Sequence, residues 1–436
     1  MTTGMRSAIY PVNGETADHS PLLELVGDAR FVLLGEGSHG THEFYATRAA
    51  ITRRLIEEKG FTAVAIEADW PDAYRVNRFV RGEGDDETAN KALSGFRRFP
   101  TWMWRNTVVL DFVLWLREFN AGRDAQTKAG FFGLDLYSLF NSMEAVVGYL
   151  DRVDPEAAMR ARYRYGCFEH FGEDSQAYGY VASFDVSRSC EDEAINQLVE
   201  LQRRGMDGLH RGGADDFFDA EQNARLVKNA EEYYRSMFRG RRSSWNLRDT
   251  HMVETVEALV SYLTRQGREP KIVVWAHNSH LGDARATEMG RHGELNVGQL
   301  IRQKYGDAAV LVGFTTYTGT VTAATDWDEP GERKRVRPAL PESYEHAFHD
   351  VGVPGFFLPL NNGAGDLPLF SQPRLERAIG VIYRPETERV SHYFEADMPS
   401  QFDAVYHFDE TRAVEPLEKP ERWQHDEPPE TYPSGI

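Results

Sequence analysis

The chain has 436 residues, 41% of them apolar, and can bury a large core; its formal net charge of −19 argues against a nucleic-acid partner, since phosphate binding needs a cationic face. No run approaches the roughly 20 apolar residues of a membrane span, and the N-terminus lacks a cationic region followed by an apolar one, so a cytoplasmic protein without a membrane partner is expected. Only Cys167 and Cys190 occur, which excludes a disulfide framework or a multi-cysteine zinc site; each reads as a buried small apolar residue.

In chain order, Phe31–Leu34 is an apolar run ending in glycine and reads as a buried strand. A helix over about 41–59 should follow, with Gly60 just past its end. Residues 62–66 form a second strand, and Pro71 opens the next helix in a favoured first-turn position. Further strands are expected at 130–134, 271–276 and 309–314, with later candidates, possible antiparallel additions, at 378–383 and 402–406. Helical patterning fills 191–203, 217–238 and 249–265, where Met252, Val256, Leu259 and Val260 share a stripe. The basic stretch 331–337 reads as a solvated loop, and the Glu- and Pro-rich segment from Val414 as an extended tail.

Apolar strands alternating with amphipathic helices predict an α/β fold: a three-layer, mainly parallel sheet with helices on both faces. Residues 1–139 and 268–413 would form a discontinuous core, 140–267 a helical insertion acting as a lid, and 414–436 the tail.

In such sheets ligands bind beyond the carboxyl ends of the strands. The first strand runs into Glu36 and His39, the second into Glu67 and Asp69, the third into Asp135, and the fourth into His277 and His280. Arg48 falls in the apolar stripe of Phe44, Ile51 and Leu55, where a guanidinium needs a carboxylate partner, Glu36 or Glu67. Trp70, Asp135 and Asn278 at the same edge are read as substrate-binding.

Several chemistries can be weighed on these residues. Gly-x-Ser-x-Gly needs glycine two before the serine, and Glu36 stands there, so Ser38 is not expected to be a nucleophile; it or Thr41 would cap the following helix. Gly35, Gly37 and Gly40 match a dinucleotide-binding spacing, but the Glu36 carboxylate would repel a pyrophosphate. His39, His42, His277 and His280 could ligate a metal, although the His-Glu-x-x-His pattern is absent. Metal-free water activation needs no cofactor. His39 would act as base, Glu36 would tune it, and His277 or His280 with Arg48 would stabilise the oxyanion. A non-enzymatic haem or ligand carrier using these histidines is the other alternative.

The segments Gly-Glu-Gly-Ser-His-Gly-Thr-His-Glu-Phe (35–44), Ala-Ile-Glu-Ala-Asp-Trp-Pro (65–71) and Trp-Ala-His-Asn-Ser-His-Leu-Gly-Asp (275–283) together resemble the erythromycin esterase family, in order and spacing over nearly the whole chain. The resemblance implies an α/β core with a helical insertion over a deep cleft, and hydrolysis of a macrolide lactone, a small-molecule ester, by activated water. By motif, Glu36 and His39 match the family's essential pair, with His39 as the base. Arg48, Glu67, His277 and His280 match its other site positions. The C-terminal portion resembles the widespread chromosomal members more than the antibiotic-resistance determinants.

Overall fold

The computed structural model describes residues 2–12, 17–171, 175–184, 189–206, 213–360 and 364–419. A nine-stranded sheet runs in the order β1 (Tyr10–Pro11), β8 (Gly355–Pro359), β11 (Ala404–Thr411), β6 (Ala309–Ala323), β2 (Phe31–Leu34), β5 (Ile272–Trp275), β3 (Ala63–Asp69), β4 (Gly130–Asp135), with β7 (Glu332–Val336) paired to the far end of β6. The run from β11 to β4 is parallel, and β8 and β1 add antiparallel strands at one side. A separate two-stranded sheet joins β9 (Arg374–Arg377) to β10 (Tyr393–Ala396).

The strands are apolar throughout because both faces are covered. Along β2, Phe31 and Leu33 join the core beneath the helices between β4 and β5, while Val32 and Leu34 join the core under the helix His42–Lys59. Register then sets the functional edge. Leu34 pairs with Trp275 and Val312, and Ile66 pairs with Trp275 and Gly133, so these positions lie level across five strands, and β2 and β5 end there. A bulge between Ile66 and Asp69 brings Asp69 opposite Asp135.

Between β4 and β5 lie six α-helices among the described residues: Leu139–Val153, Pro155–Tyr165, Ser175–Phe184, Glu191–Met206, Ala214–Ser236 and Arg241–Arg265. Their apolar cluster is continuous with that of the sheet, through residues such as Trp70, Phe132, Phe218 and Tyr262.

Several sequence expectations need correction. Cys167 and Cys190 are joined in a disulfide, with Cα atoms 6.0 Å apart, where the Gly166–Phe171 turn meets the start of the helix Glu191–Met206. The basic stretch is strand β7, whose charged residues are carried on a hairpin with β6. Residues 378–383 make only isolated pairings, Ser38 with Ile379 and Ala324 with Ile382. The segment from Val414 is extended but tied down: Val414 is buried and donates its N–H to Gly40 O at 2.8 Å, and Leu417 donates to Arg105 O at 2.9 Å. Residues 420–436 of the expected tail lie outside the described residues. No described helix is long and apolar enough to cross a membrane.

The glycines of the first loop have a packing reason. A Cβ on Gly37 would stand 2.7 Å from Phe314 O, and one on Gly40 would overlap the Thr322 carbonyl. Gly40 O also accepts from Thr322 N–H at 3.0 Å. Gly40→Ala is therefore expected to lower stability by about 1–3 kcal/mol, as overpacking against backbone does, seen as a lower urea midpoint at unchanged slope.

Candidate active site

Glu36, in the loop after β2, uses both carboxylate oxygens. Oε1 accepts from His39 Nδ1 at 2.9 Å and Oε2 from Arg48 Nη2 at 2.6 Å. Arg48 is 0% exposed, and its guanidinium lies 4.5 Å from the Tyr45 ring and 5.3 Å from the Trp275 ring. It balances the Glu36 charge and cannot reach a substrate. With Nδ1–H donated to Glu36, the His39 lone pair is left on Nε2. The loop is fixed from behind as well, because Asn278 N–H donates to Glu36 O at 2.8 Å.

A second network joins the other strand ends to a helix of the insertion. Arg248, on the helix Arg241–Arg265, donates through Nη2 to Glu67 Oε1 and Asp135 Oδ2, both at 2.7 Å, and through Nε to Asp135 Oδ1 at 2.9 Å. Its Nη1 lies 3.0 Å from His280 Nε2. The neighbouring Asp249 holds His280 Nδ1 at 2.9 Å, and Trp245 stacks flat on the same ring at 4.4 Å. One turn of this helix thus grips His280 on its face and at both nitrogens.

Charge follows from these contacts. Burial alone would raise Glu67 and Asp135, but the charges facing them win: His280, His39 and Arg248 hold Glu67 well below the usual carboxylate range, and Arg248 lowers Asp135. Burial also opposes a charge on His280, yet Asp249 and Glu67 lift it to about 9. The charged ring donates Nδ1–H to Asp249 and has Glu67 Oε1 3.4 Å from Nε2. His277 goes the other way. Burial, then the neighbouring His39 ring 4.9 Å away, pushes it well below its ordinary value, so it is neutral. Its Nδ1 accepts from Ser279 N–H at 3.2 Å, placing the proton on Nε2, on the side of the Gly37 backbone.

Two clefts, of about 250 and 400 Å³, meet at His39, Glu67 and Arg248. Asp135 lines the first and His277 and His280 the second. Arg48, Trp70, Asn278 and Ser38 line neither, which corrects three sequence expectations.

Arg48 is shut behind Glu36, so it cannot bind an oxyanion directly. Trp70 is a core residue, donating Nε1–H to Asp219 at 2.8 Å and stacking on Phe132, so it is not a substrate contact. Asn278 is spent on the scaffold, its amide donating to Phe314 O at 3.0 Å and Glu376 Oε1 at 3.1 Å. Thr41 stands at the helix N-cap, but neither it nor Ser38 supplies a side-chain cap bond; their hydroxyls bond each other.

Sequence reasoning missed Arg248, Asp249 and Trp245. The helical stripe was read from residue 249, and nothing in the preceding turn marks it as facing a site. It also missed Asp72, which lines the first cleft and is pushed up to about 7 by burial and the adjacent Asp69. Among the described residues, no group of three or more His, Cys, Asp or Glu side chains is arranged to hold a metal ion.

The family model for erythromycin esterase matches residues 56–411, a span that includes Glu67, His277 and His280. The chain belongs to the erythromycin esterase family. It is 25% identical over 408 residues to the erythromycin esterase type II of Escherichia coli, covering 89% of this chain and 94% of that one. Among solved structures it is similar to one described as a succinoglycan biosynthesis protein, with a TM-score of 0.77 at 18% identity, covering 95% of this chain and 97% of that one. It is also similar to an erythromycin esterase mutant in its open conformation, with a TM-score of 0.69 at 17% identity, covering 94% and 100%. At these identities the two structures speak for the fold alone. They share the mainly parallel sheet and its helices, so the α/β architecture is that of this family.

Proposed function

We propose that this member of the family is a hydrolase that opens a macrolide lactone or a related ester with water activated by His39. The observation that carries the reading is the chain Arg48–Glu36–His39, which ends with an imidazole lone pair at the junction of two clefts. His39 Nε2 takes a proton from water as the oxygen attacks the ester carbon. Glu36, paired with Arg48, stabilises the imidazolium that forms. Negative charge builds on the carbonyl oxygen, and the groups on the cleft suited to receive it are His277 Nε2–H and Arg248. Collapse expels the alkoxide, which takes the proton back from His39, leaving acid and alcohol. The helical block, which supplies Arg248, serves as the lid.

A mass-spectrometric screen against macrolides and simple lactones tests this, the expected product being heavier by one water. His39→Asn is expected to lower kcat by about 10²–10⁴ on any ester turned over while leaving the unfolding midpoint close to wild type. Unchanged turnover would remove the base assignment. Turnover of other esters with none of macrolides would keep the chemistry and discard the antibiotic substrate.

A further inference from the structure

We propose that the ester taken by this site has two unlike halves: an aromatic or flat apolar group in the first cleft, and a polyhydroxylated group of glycosyl type in the second. The inference rests on the hydrolase reading for the position of the scissile bond.

An ester carbon carries its acyl and alkoxy substituents in different directions. If water attacks from His39, the two substituents must leave the junction along different paths. The two clefts provide them, since they share His39, Glu67 and Arg248 and no other lining residue.

Their walls differ in chemistry. The first is walled by Phe96, Phe99, Trp104 and Trp327, with Phe99 and Trp327 rings 5.1 Å apart. Trp327 is 53% exposed at this wall, an indole face that an apolar ring would cover. The Arg98 guanidinium on the same cleft is already bonded to Asp69 at 3.0 Å. The apolar wall, with the Asp72 carboxyl at its side, is therefore left for recognition.

The second cleft presents Glu288, His292, Ser391 and His392 beside the flat rings of Tyr393 and Phe394. His292 is exposed, and Glu288 Oε2 accepts from Glu395 N–H at 3.0 Å, while Ser391 Oγ is held by Thr387 and His392 Nε2 by Arg384 N–H. The exposed imidazole of His292 and the Glu288 carboxylate, next to aromatic rings, suit hydroxyl groups on a ring. Among the described residues Arg248 is the arginine of this cleft, and Glu67 and Asp135 balance its charge, so a phosphate or carboxylate would meet a net negative wall. A neutral polyol avoids that repulsion.

The test crosses two acyl groups, phenylacetyl and acetyl, with two alcohols, glucose and methanol, and measures kcat/KM for the four esters. The phenylacetyl glucose ester is expected to be the best of the four by at least about 100-fold over methyl acetate. Trp327→Ala should cost about tenfold on the phenylacetyl esters only, and His292→Ala several-fold on the glucose esters only. In parallel, the amide linking phenylacetic acid to glucosamine is titrated by calorimetry into wild type and Trp327→Ala. Equal kcat/KM across the four esters, unmoved by either variant, would overturn the two-sided assignment while leaving ester hydrolysis intact. Binding of the amide, weakened by Trp327→Ala, without turnover of any ester would leave the two-sided site standing and remove the hydrolase reading. Neither binding nor turnover would remove both.

Discussion

Replacing Arg48 with methionine is expected to cost about 3–5 kcal/mol of stability, the price of leaving a buried carboxylate without its partner. Among the described residues, Arg48 is the arginine or lysine bonded to Glu36, which is itself 1% exposed. Activity should fall with it, because Arg48 holds the Glu36 carboxylate in place against His39. The double variant Arg48→Met with Glu36→Gln separates the two effects. It removes the orphaned charge and should regain much of the lost stability in thermal unfolding, while activity stays low. Recovery of both would mean that the Glu36 charge plays no part in turnover.

The second large effect is expected at Arg248, and its signature is a change of sign with pH. In the wild type, Glu67 and Asp135 have folded-state values below those of the unfolded chain. Their contribution is present above the unfolded carboxylate range, near pH 4, and is lost as pH falls through the folded values. Arg248→Met removes the cation that chiefly lowers Asp135, while His280 and His39 still hold Glu67 down, so burial and the Glu67 charge should raise Asp135 above its unfolded value. The Asp135 contribution then reverses: the variant should be more stable at pH 5 than at pH 8, judged by thermal midpoints. Loss of a charged donor at the cleft should also lower kcat by about 10²–10³, with Arg248→Lys intermediate. If the midpoint of Arg248→Met rises with pH across this range, as that of the wild type should at its acid end, the pairing does not set these charges.

The residues that could be placed from sequence share one property: they leave central strands buried on both faces. Phe31–Leu34 and Ile272–Trp275 are apolar without interruption, so their ends are unmistakable, and Glu36, His277 and His280 follow from them, while Glu67 and Asp135 lie at the ends of the apolar runs of β3 and β4. Arg48 was visible as a charge inside an apolar stripe, and its Glu36 partner was one of the two anticipated. Trp70 was misplaced because a strand end was taken to point every following side chain at the cleft. The first turn of the helix Trp70–Arg81 instead rotates the indole into the core against Phe132 and Phe218. Arg248 was out of reach for a different reason. It meets Asp135 across 113 residues and Glu67 across 181, and a contact between an insertion and a sheet edge leaves no local periodicity. Strand β8 was missed because five residues bounded by Gly355 and Pro359 carry too short a pattern to stand out.

The clamp on Gly40 has a consequence for how the protein comes to be made. The Gly40 carbonyl is held by Val414 and Thr322, and β11 lies between β6 and β8, so the loop bearing the base is braced by segments translated hundreds of residues after it. A ribosome-bound chain that has emerged only as far as the helical block already contains Glu36, His39 and Arg48, yet lacks what holds their loop in register. The loop bearing His39 is therefore expected to reach its register only once residues 404–414 have cleared the exit tunnel.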